Sequence, residues 1–113
     1  MKILIIEDDT SIQYIMKEFI ETFLNKQCFI AGSIDEAKDA YKKYNPSLVF
    51  LDILLKDANA EVLIKEFQNT SHVVIMSAWN KAEQIAQEFK VDDFVSKPFD
   101  LDTIEKIIFK KSS

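Results

Sequence analysis

The sequence predicts an α/β fold in which five parallel strands alternate with five helices. Three observations carry this. Ile3–Ile6, Leu48–Leu51 and Val73–Met76 are continuous apolar runs bounded by polar residues, the pattern of strands buried on both faces. Amphipathic stripes of helical period separate them. Strand and helix patterns alternate along the whole chain, as βαβ units do.

Taken in order, the first strand is residues 3–6. Ile12, Ile15, Met16, Phe19, Ile20, Phe23 and Leu24 then recur at helical spacing and form one stripe of a long helix. Residues 28–31 form a short second strand. Gly32 turns the chain, and Ser33 with Glu36 reads as a capping box opening helix two. Its apolar face is thin (Ala37, Ala40, Tyr41, Tyr44), and Asn45-Pro46 ends it. Strand three is residues 48–51. A loop over 56–59 leads to a helix carrying Val62, Leu63 and Phe67. Strand four is residues 73–76. Asn80 with Glu83 caps a fourth helix carrying Ile85, Ala86 and Phe89. Strand five is residues 94–96, and Asp100 is the N-cap of a last helix with Leu101, Ile104, Ile107 and Ile108 inward. With one glycine in the chain, most turns must use asparagine, aspartate or lysine.

Composition narrows the function. The 113 residues fit one domain. A balance of 14 basic against 19 acidic residues gives −5 and argues against a nucleic-acid surface. The single cysteine, Cys28, excludes an internal disulfide and reads as a small buried apolar residue. No apolar run is long enough to span a membrane, and a cytoplasmic location is expected.

The polar residues closing the strands hold the chemistry. Glu7-Asp8-Asp9 follow strand one, Asp52 strand three, Ser77 strand four and Lys97-Pro98 strand five. Ligands of an open parallel sheet bind at the carboxyl ends of its strands, so these groups should converge. Two like charges ~4 Å apart repel by roughly 4 kcal/mol at an effective dielectric of ~20, so crowded carboxylates call for a cation. Each residue alone has a plainer reading. The acidic run could be a solvated helix start, as Asp9 is read, and Asp52, Ser77 and Lys97 could be turn, cap and loop residues. Asp92-Asp93 read as solvated, and His72 has no partner motif.

Glu7-Asp8, Asp52, Ser77 and Lys97-Pro98, in that order at successive strand ends, resemble the receiver domain of two-component response regulators. The resemblance covers residues 1 to about 109. It implies the flavodoxin-like strand order 2-1-3-4-5. It implies Asp52 as phosphoacceptor and Glu7, Asp8, Asp52 and the Leu54 backbone carbonyl as ligands of Mg²⁺, with Mn²⁺ an alternative. Ser77 would bond the phosphoryl group, Lys97 would pair with Asp52 or the phosphoryl oxygens, and Phe94 would be the aromatic switch. Leu54 and Trp79 would flank the phosphoryl group and restrict hydrolytic water. A cis bond is implied at Lys97–Pro98. The implied partners are a sensor histidine kinase or phosphotransfer protein and a downstream effector protein or domain. A phosphorylation-dependent dimer would use helix four, strand five and helix five. No effector segment follows helix five, so the chain reads as a stand-alone receiver or part of a longer regulator.

The sequence departs from the family pattern at Lys56 and Ala60, where proline and glycine are usual, and at Lys90, where glycine is usual. Gln13 stands where arginine is common, and Ser77 where threonine is commonest. No chemical group of the site is lost. Two rival readings are an aspartate-nucleophile phosphohydrolase and a receiver-like binding module that is not phosphorylated. The first usually needs a second aspartate two residues after the nucleophile, where Leu54 stands. The second is disfavoured by the intact set of polar residues.

Overall fold

The computed structural model describes residues 1–55, 58–78 and 81–112. Five parallel strands form one sheet: β1 (Lys2–Ile6), β2 (Gln27–Ala31), β3 (Leu48–Asp52), β4 (His72–Ala78) and β5 (Asp93–Lys97). Their spatial order is β2-β1-β3-β4-β5, as the resemblance implied. The helices are α1 (Thr10–Glu18), α2 (Ile34–Tyr44), α3 (Val62–Gln68), α4 (Ala82–Glu88) and α5 (Leu101–Ser112). None of the described helices is long and apolar enough to cross a membrane.

Because side chains alternate along a strand, each strand feeds two cores. Ile3, Ile5, Leu48, Phe50, Val74 and Met76 pack with Met16, Ile20, Ile104 and Ile108 of the α1/α5 layer. Leu4, Ile6, Val49, Leu51, Val73 and Ile75 pack with Leu63, Ile64 and Phe67, with α2 and α4 on the same side. Cys28 is buried in the first core, where burial pushes its thiol up to about 12.

Several local expectations need correction. The long first helix becomes a π-helical turn at Phe19–Phe23. The wider turn shifts the phase of the stripe, and Phe23 ends 74% exposed, while Ile15 also faces outward. In α3 the buried face is Leu63, Ile64 and Phe67, and Val62 is exposed. The capping box of α2 keeps its Ser33 N-cap, and only its return bond is shifted by one residue. Ser33 Oγ accepts from the Glu36 amide (3.1 Å), but Glu36 Oε1 accepts from Gly32 N–H (2.8 Å). The loop after β3 contains a two-rung antiparallel hairpin, Leu54–Leu55 against Ala58–Asn59. Asp93 is not a solvated residue: its carboxylate meets His72 Nε2 at 2.6 Å and Lys110 Nζ at 3.2 Å. His72 thus has a partner, brought to it by the β4–β5 pairing. The Asn80 cap and Lys56 lie outside the described residues.

Other expectations hold. Asp9 caps α1, accepting from the amides of Ser11 (2.8 Å) and Ile12 (3.2 Å). Asp100 accepts from the Thr103 amide at 2.9 Å at the start of α5. Among the described residues the left-handed positions are Asn25, Asn45 and Lys90, so asparagine and lysine do replace glycine at these turns.

Candidate functional site

Parallel strands all end at the same edge, so β1, β3, β4 and β5 deliver Glu7, Asp52, Ser77 and Lys97 to one place. Three of these are buried: Glu7 is 1% exposed, Asp52 5% and Ser77 6%. One oxygen from each of Glu7, Asp8 and Asp52 lies within 4.8 Å of the others. This is the only group of three or more such ligands among the described residues.

Lys97 Nζ donates to Asp52 Oδ2 at 2.9 Å and to Glu7 Oε1. The second bond spans 90 residues of sequence. The other oxygens are also held. The Leu54 amide donates to Asp52 Oδ1 (3.1 Å), and the Asp9 amide donates to Glu7 Oε2 (3.1 Å). The Asp52 carboxylate is therefore held at both oxygens.

The electrostatics follow from this crowding. Burial pushes the Glu7 carboxyl up to about 7; the bond from Lys97 and the Asp9 amide pull it back only in part, and the nearby Asp52 charge adds to the rise. Burial by itself would lower the Lys97 ammonium, but its bonds to Glu7 and Asp52 outweigh that and hold it above the ordinary lysine value. A pocket with two or three anions and one ammonium is short of positive charge. Its donors are hard carboxylate oxygens, the chemistry that suits Mg²⁺ or Mn²⁺.

Asp52, Ser77 and Lys97 line a cleft of about 800 Å³, walled by Leu54, Ile12, Pro98 and Phe99. Leu54 is 73% exposed at its rim and carries no acid. Phe94 lies outside this wall on β5, 38% exposed. The Lys97–Pro98 bond is cis. Trp79 lies outside the described residues.

Two contacts were not legible in the sequence. One is the Lys97 bond to Glu7. The other is Gln13, whose Nε2 donates to the Glu7 backbone carbonyl; its only signal was the replacement of a common arginine.

Comparison with known proteins agrees with the fold. The model of the response regulator receiver domain matches residues 3–109. The chain is 31% identical over 118 residues to the sensory transduction protein LytT of Bacillus anthracis, covering 97% of this chain and 46% of that protein. It is 27% identical over 108 residues to the chemotaxis protein CheY of Halobacterium salinarum, covering 87% of this chain and 85% of that one. Among solved structures, a two-component response regulator from Clostridium difficile superposes with a TM-score of 0.84 at 27% identity, over 95% of this chain and 91% of the other. A signal receiver domain from Bermanella marisrubri gives 0.87 at 22% identity, over 99% of this chain and 98% of the other, a likeness of fold. The chain spans about half the length of the first curated relatives it matches, 46% of LytT and 51% of the Bacillus subtilis probable C4-dicarboxylate response regulator DctR. With its strand order, its strand-end polar residues and this match over nearly its full length, the chain belongs to the response regulator receiver domain family.

Proposed function

We propose that the chain is a phosphorylation switch in which Asp52 accepts a phosphoryl group from a phosphohistidine of a partner kinase or phosphotransfer protein. A carboxylate oxygen of Asp52 attacks phosphorus. A P–O bond forms as the P–N bond breaks, and the imidazole nitrogen keeps the bonding pair. The observation that carries this reading is the Asp52 carboxylate held by Lys97 at 2.9 Å inside a cluster of three acids.

Each residue has a proposed part. The Leu54 amide and the Lys97 ammonium hold Asp52 against rotation. Glu7, Asp8, Asp52 and the Leu54 carbonyl would hold Mg²⁺ or Mn²⁺. Such a dication, when bound, supplies positive charge to the phosphoryl oxygens and the attacking carboxylate. Lys97 adds a second positive charge, and Ser77 Oγ donates to a phosphoryl oxygen. Movement of Ser77 toward the phosphoryl group frees space for Phe94 to turn inward. The surface of α4, β5 and α5 then changes for a downstream partner or effector domain to read. Leu54, exposed at the rim of the cleft, and Trp79, two residues past Ser77 in the sequence, would limit the access of hydrolytic water.

The test is labelling by a small-molecule acyl phosphate with Mg²⁺. Wild type gains one acid-stable, base-labile phosphoryl group; Asp52→Asn gains none. Labelling of Asp52→Asn to the wild-type level would place the acceptor elsewhere and reject the reading.

A further inference from the structure

We infer that Gln13 is a positioning residue for the acidic pair, fixing the peptide that joins Glu7 to Asp8; this rests on the metal role proposed above. Glu7 stands just past β1. Its amide still donates to the Ala31 carbonyl of β2 at 3.0 Å. Its carbonyl lies where the neighbouring strand has ended. There the chain turns at Gly32 and Ser33 into α2, and the Gly32 amide is drawn to Glu36 Oε1 at 2.8 Å. Gln13 Nε2, reaching back from the first turns of α1, donates to that carbonyl.

The Glu7 carbonyl and the Asp8 amide belong to one planar unit. Rocking that plane changes the direction in which Asp8 leaves the backbone relative to Glu7. Holding its oxygen therefore sets the angle between two carboxylates. A second anchor lies one residue on, where the Asp9 amide binds Glu7 Oε2 at 3.1 Å and the Asp9 carboxylate caps α1. The helix thus grips the acidic turn from both sides. The one glycine of the chain lies beside this contact: a Cβ on Gly32 would stand in ordinary van der Waals contact with Gln13 Nε2 (3.4 Å) and Glu36 Oε1 (3.5 Å).

Mg²⁺ requires near-ideal octahedral geometry, so loosening the angle between its ligands weakens binding while leaving the reacting groups in place. Gln13→Met keeps the length of the side chain and removes the donor. Titration calorimetry with Mg²⁺ alone should show affinity about tenfold weaker than wild type. Acyl-phosphate labelling should need correspondingly more Mg²⁺ and reach the same limiting rate. Gln13→Lys restores a nitrogen donor and should bind Mg²⁺ more tightly than Gln13→Met, although its added charge works against a cation. Equal Mg²⁺ affinity in wild type and Gln13→Met overturns the inference. So does a lower limiting rate with unchanged affinity, or a Gln13→Lys that binds no better than Gln13→Met. Asp8→Ala tests the layer beneath: if wild type fails to bind Mg²⁺, or Asp8→Ala binds it as wild type does, the metal reading itself is wrong.

Discussion

His72 Nε2 meets Asp93 Oδ2 at 2.6 Å and ties β4 to β5 at the end of the sheet opposite Asp52. Lys110 of α5 reaches the other oxygen of Asp93 at 3.2 Å. Three elements, two of them (β5 and α5) in the proposed output surface, are thus joined by one carboxylate, far from the site where the phosphoryl group would arrive.

That carboxylate predicts an acid-sensitive increment of stability. Burial works to raise the Asp93 carboxyl, but the bonds from His72 and Lys110 outweigh it and hold it below the ordinary value. With the folded value below the unfolded one, the stabilisation is fully present above ~pH 4, the ordinary aspartate range. It is lost as pH falls through the folded value. Asp93→Asn should cost about 1 kcal/mol at neutral pH, and the two proteins should converge in strong acid. Urea midpoints measured from pH 7 down to pH 2 check this; parallel curves over the whole range refute it.

Lys97→Met should be among the more destabilising single changes at the site. It leaves Glu7 and Asp52, both buried, without their shared ammonium. Loss of one partner of a buried ion pair costs about 3–5 kcal/mol. The Glu7 carboxyl is already raised to about 7, so the folded state binds its proton more tightly than the unfolded state does. Stability from this group therefore falls as pH rises from the ordinary glutamate range toward 7. The variant's deficit should accordingly be largest at pH 8 and shrink toward pH 5. Chemical denaturation at the two pH values measures it, and a deficit that grows on acidification contradicts the electrostatic account.

Lys90→Gly should stabilise the protein. Lys90 has φ 57° just beyond α4, where the Val91 amide closes on the Ala86 carbonyl at 2.8 Å. Left-handed backbone costs an L-residue about 1–2 kcal/mol, and glycine is the usual occupant of this place after a helix. A gain of about 1 kcal/mol is expected once glycine's greater freedom in the unfolded chain is subtracted. Thermal melting of the two proteins decides it; a lower midpoint for Lys90→Gly rules it out.

The sheet was legible because its strands are continuous apolar runs, and residues such as Val49 and Phe50 face different cores without a polar interruption. Ends moved by one or two residues, as in β4, which extends to His72 and Ala78. The π-helical turn at Phe19–Phe23 was not legible, since an apolar stripe reads the same until one residue is added to a turn. The hairpin at Leu54–Leu55 is too short to show a period. The convergence of Asp52 with Lys97 followed from where parallel strands end. The contacts of Lys97 with Glu7, Gln13 with the Glu7 carbonyl and His72 with Asp93 depend on side-chain reach between distant segments, which spacing along the chain does not encode.

The bond from Lys97 to Glu7 closes the longest loop in the site. A chain emerging from the ribosome would present its acidic residues long before the lysine that balances them. Mutual repulsion would therefore persist until the final strand docks. Completing the sheet and bringing the Lys97 ammonium to the pocket become a single event, so a product lacking that strand would keep its cluster of anions without that partner.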